Sequence, residues 1–437
     1  MKVLLIAYDQ GDLIGWFQQS LAAVASGPAA QGAWVRDYNI SKDFDARELT
    51  RYLNLYHFDV VGISSCAGYW QYARCKEIAE AVNKSNSRKK FWFIAGGPMF
   101  TATPEYFLNK FKLDSIIKGD GELFHEPPYE KIEDLGIGKL NDYNMPAYSL
   151  FNIDHYRLMR MPHIGKNEYC LPILSSRGCT NACSFCYRQE KGIRLRSIKS
   201  VVDEIEHLKK YYNITYFAFA DELALASPSR SAKLAEALIP LNIKWSANGR
   251  LDNISSEVLT ILKKSGLMFI NYGVESFDNE LLEQMGKNLT TDQIKDGIEA
   301  TLAAGITPGI NIIWGFPNDT PEKLEKSLAF LMEYDDGTQL RTIRSVCPYP
   351  GSALYDLAIH QGKLKGPEDF YKTKHVNSDL LTINFTDLSD DAYYTYLSDA
   401  NQHMIKRYFE KQKEGYLFQC RNLYSNQDAS FRGFRQK

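Results

Sequence analysis

Three cysteines within eight residues form the clearest chemical pattern in the sequence. Cys179, Cys183 and Cys186 are spaced C-x3-C-x2-C, and an aromatic residue, Phe185, directly precedes the third. Thiolates this close together can converge on one soft metal centre. Three protein ligands leave one coordination position open, which is typical of a catalytic centre. The alternative is a zinc site that takes His163 as its fourth ligand, for which a C-x3-C step is unusual.

Strands that alternate with helices must position these cysteines. From residue 171 the pattern predicts strands at 171–175, 216–220, 244–247, 269–273, 309–314 and 340–347, with helices between them. This alternation indicates a partial or complete parallel barrel. The cysteines follow the first predicted strand, at the end where barrel enzymes carry their chemistry.

The first 130 residues alternate in the same way, with strands predicted at 2–7, 34–38, 59–64, 91–95 and 115–118. Such a pattern predicts a doubly wound, Rossmann-like parallel sheet whose ligand-binding loops follow the carboxyl ends of its strands. The predicted fold class is α/β, in four parts. These are a Rossmann-like domain (1–130), a proline-containing linker (131–170), a partial (β/α)6 barrel (171–350) and an α-rich C-terminal cap (351–437), helical around 390–409.

Composition excludes several classes of protein. The 437 residues include 51 basic and 53 acidic side chains, a net charge of −2, so no general electrostatic attraction to nucleic acid or to an anionic membrane is expected. No apolar run approaches the ~18 residues that span a bilayer. The apolar N-terminus is too short for a signal peptide. These features predict a cytoplasmic protein.

The cysteine pattern resembles the C-x3-C-x-φ-C signature of radical S-adenosylmethionine (SAM) enzymes. This resemblance implies that Cys179, Cys183 and Cys186 hold a [4Fe–4S] cluster whose fourth iron binds SAM. Reduction then cleaves SAM to methionine and a 5′-deoxyadenosyl radical. The stretch from Trp245 to Arg250 is similar to the family's W-x-x-x-x-R segment, and Gly-Val-Glu-Ser at 273–276 is similar to another family segment.

The resemblance also implies which residues contact SAM. The carboxylate of Asp221 or Glu222 would face the ammonium group of SAM, where a charge-assisted hydrogen bond is favourable. Alternatives exist for single residues: Asp221 and Glu222 as acids at a helix N-terminus, or Glu275 as a structural partner of Arg250. The candidate cofactor-binding residues of the barrel are Tyr187, Asp221, Glu222, Asn248, Arg250, Glu275 and Ser276.

The N-terminal domain resembles the cobalamin-binding domain of B12-dependent radical SAM enzymes. The usual D-x-H-x-x-G motif is absent, since Gly11 stands where the histidine would be, so no histidine ligand to cobalt is expected. Tyr69 and Trp70 are candidates to lie beneath the cobalt, with Cys66 behind them, or they pack the domain interface instead. The remaining candidates on this domain are Asp9, Ser64, Ser65, Gly96, Gly97, Pro98, Gly119, Gly121 and Glu122.

The function that this resemblance implies is methylation of an unactivated carbon. One SAM would methylate cobalamin, and a second would yield the radical that takes a hydrogen atom from the substrate. The alternatives are a B12-dependent cyclase or rearrangement enzyme without methyl transfer, and a non-catalytic iron–sulfur or corrinoid-binding protein. The expected partners are a small-molecule, peptide or protein substrate and an electron donor of the ferredoxin or flavodoxin type, and the labile cluster implies an anaerobic setting.

Overall fold

The computed structural model describes residues 1–8, 16–27, 34–37, 46–66, 69–375, 383–428 and 430, with the side chains of residues 36, 37, 69 and 70 outside that description. Two six-stranded sheets and one two-stranded hairpin organise the chain. Both large sheets are parallel throughout. The predicted α/β fold with two βα regions and a helical C-terminus is confirmed.

The first sheet has the strand order β2-β1-β3-β4-β5-β6, with the order reversing beside β1. Its first strand is buried along its whole length, and alternate side chains join two separate core clusters, Val3 and Leu5 in one and Leu4 and Ile6 in the other. A strand covered on both faces reads as a continuous apolar run, which is why it was predictable. Its strands are β1 (Val3–Ala7), β2 (Trp34–Asp37), β3 (Val60–Ser64), β4 (Trp92–Gly96), β5 (Ser115–Lys118) and β6 (Ile132–Asp134).

Helices connect these strands on both sides of the sheet. Apolar residues between 13 and 24 have helical spacing in the sequence, which predicts a helix there; the helix of the structure begins at Gln19, and residues 13–15 lie outside the described residues. The strand β6 was not predicted and lies just past residue 130, in the segment expected to be a linker. The domain boundaries at 130, 170 and 350 stay predictions. The helices are α1 (Gln19–Val24), α2 (Ala46–Leu55), α3 (Tyr69–Asn83), α4 (Pro98–Ala102) and α5 (Pro104–Phe111).

The second sheet is an open partial barrel with the order β14-β13-β12-β11-β10-β7, so β7 and β14 lie at its edges. The strand predicted at 340–347 is reduced to two residues. A two-stranded antiparallel hairpin, β8 with β9, follows the first barrel strand and was not predicted. The strands are β7 (Cys170–Ile173), β8 (Ser176–Cys179), β9 (Gly192–Leu195), β10 (Tyr216–Phe219), β11 (Lys244–Gly249), β12 (Leu267–Glu275), β13 (Thr307–Trp314) and β14 (Arg344–Ser345).

The barrel helices begin at side-chain caps that the sequence supplies. Ser197, Ser227, Ser255, Asp278 and Thr290 each accept a hydrogen bond from a backbone N–H of the first helical turn. Such caps satisfy donors that a helix N-terminus leaves unpaired. The helices are α6 (Ile153–Tyr156), α7 (Ile198–Tyr212), α8 (Pro228–Leu238), α9 (Ser256–Lys264), α10 (Asn279–Gln284), α11 (Thr291–Ala303), α12 (Pro321–Tyr334), α13 (Ala353–His360), α14 (Pro367–Asp369) and α15 (Asp390–Ser425).

The predicted linker is packed rather than loose. Phe17, which precedes α1, stacks on Tyr148 at 5.6 Å and meets Phe151 edge-on at 5.2 Å between ring centroids. The hydroxyl of Tyr148 donates in turn to the fully buried Glu204 of α7. The linker therefore ties the first domain to the barrel through an aromatic core.

The C-terminal segment contacts both the barrel sheet and a helix of the first domain. Tyr393, near the start of α15, stacks on Trp314 of β13 at 4.6 Å. Tyr371, in a π-helical turn at Phe370–Lys374, stacks on Tyr72 of α3 at 4.9 Å. The segment thus spans from the barrel to the first domain. Within the described ranges, no helix combines the length and apolarity needed to cross a bilayer.

Candidate active site

The three cysteines lie in the loop of the hairpin β8–β9. Cys179 ends β8 opposite Gly192, and Cys183 and Cys186 follow in the loop between the strands. Cys179 and Cys183 are half-buried and Cys186 is exposed. The hairpin therefore presents all three thiols near one surface at the carboxyl end of the first barrel strand, as the sequence predicts.

The cysteine loop is seated on neighbouring loops by backbone hydrogen bonds. The N–H of Ser184 donates to the carbonyl of Met285 at 2.9 Å, and the thiol of Cys183 lies 3.8 Å from the carbonyl of Gly286. The N–H of Leu354 donates to the carbonyl of Ser184 at 2.9 Å. The loop after α10 and the start of α13 thus hold the cysteines from two sides.

The donor set of three thiols fits an iron–sulfur cluster, because thiolate is the usual ligand of such a cluster. Among the described residues, no group of three or more His, Cys, Asp or Glu side chains is arranged to hold one metal ion. Desolvation by the surrounding protein raises the pKa of Cys183 and raises that of Cys186 to about 11, so both thiols must lose a proton when they bind iron.

His163 does not join the cysteines. Its Nε2 lies 2.8 Å from the hydroxyl of Thr307, the first residue of β13. The cysteines lie beyond the carboxyl end of β7, whereas Thr307 marks the amino end of a parallel strand of the same sheet. The zinc alternative with His163 as its fourth ligand therefore has no support in the structure.

The two neighbouring carboxylates Asp221 and Glu222 have different surroundings. Asp221 is fully buried and accepts hydrogen bonds from the N–H and hydroxyl of Ser175, at 2.9 and 2.8 Å, and from the hydroxyl of Ser176. Burial raises its pKa, which these bonds partly offset. Glu222 is exposed and accepts one bond, from the N–H of Gly178 at 3.2 Å. Glu222 is thus open to a bound ammonium group, whereas Asp221 holds the hairpin to β10.

A row of asparagine amides crosses the barrel sheet. Asn311 of β13 donates to Asn271 of β12 at 3.1 Å, Asn271 donates to Asn248 of β11 at 3.2 Å, and Asn248 donates to the backbone carbonyl of Asp221 at 2.7 Å. Side chains alternate along a strand, and the neighbouring apolar residues pack into the core beneath the helices. The amides therefore face the concave side. Only Asn248 was predicted, although an asparagine in each of three successive strands is visible in the sequence.

A buried ion pair lies beside the cysteine loop. Lys287 Nζ lies 3.1 Å from Glu275 Oε1, and both residues are buried. Glu275 has a φ of 69°, a left-handed conformation that is costly for a non-glycine residue and that accumulates at functional sites. Burial raises the pKa of Cys183 and of Cys186, and the positive charge of Lys287 partly offsets that rise. Sequence reasoning missed Lys287, which follows α10 and carries no motif of its own.

The other predicted SAM contacts have structural partners. Arg250 is buried and forms a bidentate pair with Asp252, at 2.9 and 2.8 Å, while it also donates to the carbonyl of Lys287 at 2.9 Å. The predicted alternative, a pair between Glu275 and Arg250, is not what the structure shows, because Lys287 takes that place. Ser276 is buried directly after Glu275.

On the first domain, the loops after β3 and β4 are bonded to each other. The N–H of Ser65 donates to the backbone carbonyl of Gly96 at 3.2 Å, and the N–H of Met99 donates to the backbone carbonyl of Ser65 at 3.2 Å. Gly97 has a φ of 88°, and a Cβ there would lie 2.7 Å from the Ser65 carbonyl and 2.9 Å from the Ser64 hydroxyl. Pro98 starts α4. These glycines therefore serve the close approach of two loops at the edge where a cofactor would bind.

The loop after β5 contacts protein instead of an open face. Glu122, predicted to bind cobalamin, is buried and paired with Arg177 of β8. A Cβ on Gly119 would overlap the carbonyl of Gly136, and one on Gly121 would lie 2.6 Å from Val24. The structure thus assigns these three residues to loop packing and to docking on the cysteine hairpin, because charge pairing and tight backbone contact occupy them.

The two strand-end faces meet at the cysteine loop. Thr101 of α4 and Tyr187, directly after the third cysteine, have their hydroxyls 3.1 Å apart. The protein around the Cys66 thiol raises its pKa, and the nearby carboxylate of Glu222 raises it further. Asp9 and the side chains of Tyr69 and Trp70 lie outside the described residues.

Comparisons with known proteins agree with this arrangement. Residues 173–331 match the radical SAM superfamily. The chain is 26% identical to an uncharacterised methyltransferase of Pyrococcus horikoshii over 357 residues, which cover 73% of each chain. It is 28% identical to an anaerobic magnesium-protoporphyrin IX monomethyl ester cyclase of Rubrivivax gelatinosus over 54% of this chain and 41% of the relative, so it spans less than half of that protein.

The solved structures share the fold. The radical S-adenosylmethionine methyltransferase TsrM from Kitasatospora setae, solved with cobalamin and a [4Fe–4S] cluster, superposes with a TM-score of 0.67 at 16% identity. The match covers 91% of this chain and 90% of that one. The likeness therefore extends over the first domain, the barrel and the C-terminal segment together.

Proposed function

Because residues 173–331 match the radical SAM superfamily, we propose that this chain is a cobalamin-dependent radical SAM methyltransferase that methylates an unactivated carbon atom of its substrate. The observation that carries the proposal is the meeting of the two strand-end faces, where the hydroxyls of Thr101 and Tyr187 lie 3.1 Å apart and Arg177 of the hairpin pairs with Asp120 and Glu122 of the first domain. Two cofactors that act on one substrate must share one cavity, and facing strand ends provide it.

The protein's own groups bind and orient. When bound, the cofactors supply reductive cleavage of SAM and a carrier for the methyl group. Cys179, Cys183 and Cys186 hold the cluster. Glu222 would accept a charge-assisted hydrogen bond from the ammonium group of SAM, since its carboxylate is exposed beside the hairpin. The other proposed SAM-site residues are Tyr187, Asn248, Arg250, Glu275 and Ser276, with Asp221 supporting them from within the fold.

Cobalamin would bind over the loops after β3 and β4 of the first domain. Ser64, Ser65, Cys66 and the glycine pair at 96–97 shape this edge, with Pro98 at the start of α4. Asp9, Tyr69 and Trp70 stay candidates for the same site. Gly119, Gly121 and Glu122 support it indirectly, through the docked loop.

A small molecule is the proposed substrate, because the cyclase relative is named for a small molecule. A reducing partner of the ferredoxin or flavodoxin type would supply electrons to the cluster. The absence of a nucleic-acid partner, a cytoplasmic location and an anaerobic setting stay predictions that rest on charge balance and on the lability of such clusters.

Anaerobic purification with added hydroxocobalamin tests the proposal. The visible spectrum of the purified protein is expected to show both corrin bands and cluster absorption. Its iron content should rise in proportion to the amount of protein. With dithionite and SAM that carries a deuterated methyl group, mass spectrometry should find 5′-deoxyadenosine and label on the bound corrinoid. Protein that binds the cluster but neither binds nor labels the corrinoid would contradict the methyltransferase proposal.

A cyclase or rearrangement enzyme is the second candidate, because the relative from Rubrivivax gelatinosus carries a cyclase name. The product mass separates the two. A substrate that gains one methylene in mass supports methyl transfer, whereas an unchanged carbon count supports the cyclase.

A further inference from the structure

The hairpin that carries the cysteines places two positive charges opposite each other. Arg177 of β8 and Arg194 of β9 are direct cross-strand partners. Like charges at directly opposed positions destabilise an antiparallel pair. Cys179 lies two residues beyond Arg177 at the end of β8, and Cys183 and Cys186 lie in the loop that follows. The hairpin therefore needs a counter-charge in order to form.

Asp120 of the first domain supplies that counter-charge. Arg177 Nη1 lies 2.7 Å from Asp120 Oδ1, and Arg194 donates to both carboxylate oxygens, at 2.9 and 2.6 Å. Tyr143 donates at 2.6 Å and the N–H of Gly138 at 2.9 Å. Burial opposes ionisation of Asp120, but the bonds from Arg194 and Tyr143 outweigh it and hold its pKa well below the usual range.

Two more carboxylates complete the cluster. Glu122, also from the first domain, pairs with Arg177, and Glu190 in the hairpin loop pairs with Arg194 at 2.6 Å. Of these three carboxylates, Asp120 contacts both guanidinium groups, and it belongs to the loop after β5 of the other sheet. A carboxylate with five donors is fully satisfied, so removing its charge leaves both arginines short of a partner.

We propose that Asp120 is a positioning residue: by bridging Arg177 and Arg194 it lets the cysteine hairpin form only when docked on the first domain, and so sets the spacing between the two cofactor sites. The proposal rests on the proposed function in one respect, that the cysteines hold a cluster. The docking itself is a property of the chain without cofactors.

Hydrogen exchange followed by mass spectrometry tests the docking on the full chain before reconstitution. In Asp120→Asn, exchange should become at least about ten-fold faster in peptides that cover 119–124 and 176–195, since charged hydrogen bonds are lost. Asp336→Asn is the matched control, because Asp336 pairs with the buried Arg341 beside the start of β13, away from the hairpin. It should leave the peptide over 119–124 unchanged.

The double variant Asp120→Asn with Arg194→Gln separates the two roles of the bridge. Removing one of the opposed charges should restore protection at 176–195 but not at 119–124. If the single variant exchanges like the wild type in both segments, or if the double variant restores neither, the bridge does not shape the hairpin. If Asp120→Asn fails to fold, Arg194→Gln alone is compared with the wild type by hydrogen exchange in the same two segments.

Electron paramagnetic resonance of reconstituted protein tests the spacing. With cob(II)alamin bound and the cluster reduced, magnetic coupling between the two centres depends steeply on their distance. Asp120→Asn should keep its iron within two-fold of the wild type but show weakened or heterogeneous coupling. Unchanged coupling would overturn the positioning role. A wild type that binds no iron would instead contradict the proposed function and leave the exchange result to decide the docking.

Discussion

The strand-end face of the barrel and that of the first domain use their residues differently. On the barrel face, side chains carry the chemistry: three thiols, the exposed Glu222, an asparagine row and the pair of Glu275 with Lys287. On the first face, the backbone dominates, since Gly97 lets two loops touch and the loop after β5 is buried against the hairpin. One face is built around functional groups and the other around shape.

This difference explains why the two sites were not equally visible in the sequence. A ligand held by thiolates and carboxylates requires particular residue types at particular spacings. A large ligand held by loop shape requires only small residues and open space, which many sequences provide. Glycines on the first face were therefore easy to find and hard to assign, and three of the residues predicted there pack against protein.

The largest effect is expected from a cluster ligand. Cys183→Ala should abolish formation of 5′-deoxyadenosine and remove the cluster absorption, because two thiolates do not retain the cluster. Iron analysis, the visible spectrum and product chromatography measure this. Cys420→Ala, on α15, is the matched control and should keep both properties. A Cys183→Ala protein with full iron content would show that this thiol does not hold the cluster, and would contradict the view that side chains carry the chemistry of the barrel face.

Breaking the buried pair beside the cysteines comes next. Lys287→Met leaves the Glu275 carboxylate buried without its partner, which should lower the free energy of unfolding by about 3 kcal/mol. Urea unfolding measures the loss. Lys287→Arg, which keeps the charge, should recover most of it. Equal stability of the methionine variant and the wild type would show that the pair is not structural.

On the first face, Gly97→Ala tests whether backbone shape matters. A Cβ at a φ of 88°, 2.7 Å from the Ser65 carbonyl, should cost about 2 kcal/mol of stability. It should also weaken hydroxocobalamin binding without changing the iron content. Gly362→Ala, also at positive φ but with open space around it, is the control for backbone strain alone. An equal loss of stability in both variants would mean that the contact between the two loops does not contribute to stability.

The adjacent carboxylates should separate into two roles. Glu222→Gln should weaken SAM binding about ten-fold with unchanged stability, since one charge-assisted hydrogen bond is lost. Asp221→Asn should instead lower stability, because three donors converge on that buried carboxylate. Calorimetric titration with SAM and thermal unfolding measure the two effects. Matching effects in both variants would place the two residues in one role.

The last prediction concerns pH. Burial raises the pKa of Asp319, in the loop after β13, to about 7, while the N–H groups of Gly315 and Thr320 oppose the shift. Because the folded chain then binds a proton more tightly than the unfolded chain, this group's contribution to stability falls as pH rises from about 4 to about 7. Asp319→Asn should flatten that part of the stability profile. An identical profile in urea unfolding between pH 5 and 8 would refute this assignment.

Much of the architecture was predictable from local pattern. The strands β1, β3 and β5 are short apolar runs between polar turns, and the barrel helices α7 to α11 follow capping residues that the sequence displays. The hairpin β8–β9 and the edge strand β6 were missed, since their polar, half-exposed residues carry no apolar alternation.

By itself, the sequence determined the alternation of the main strands and helices, the cysteine motif and the placement of its thiols beyond a strand end, because these depend on residue type and near-neighbour spacing. Tertiary structure alone decided that Asp221 is internal and Glu222 open, that Lys287 pairs with Glu275, and that Asp120 bridges two arginines of the other domain. Each of those outcomes depends on which distant group removes water from a charge and which one compensates it. Distance along the chain does not encode that pairing; packing does.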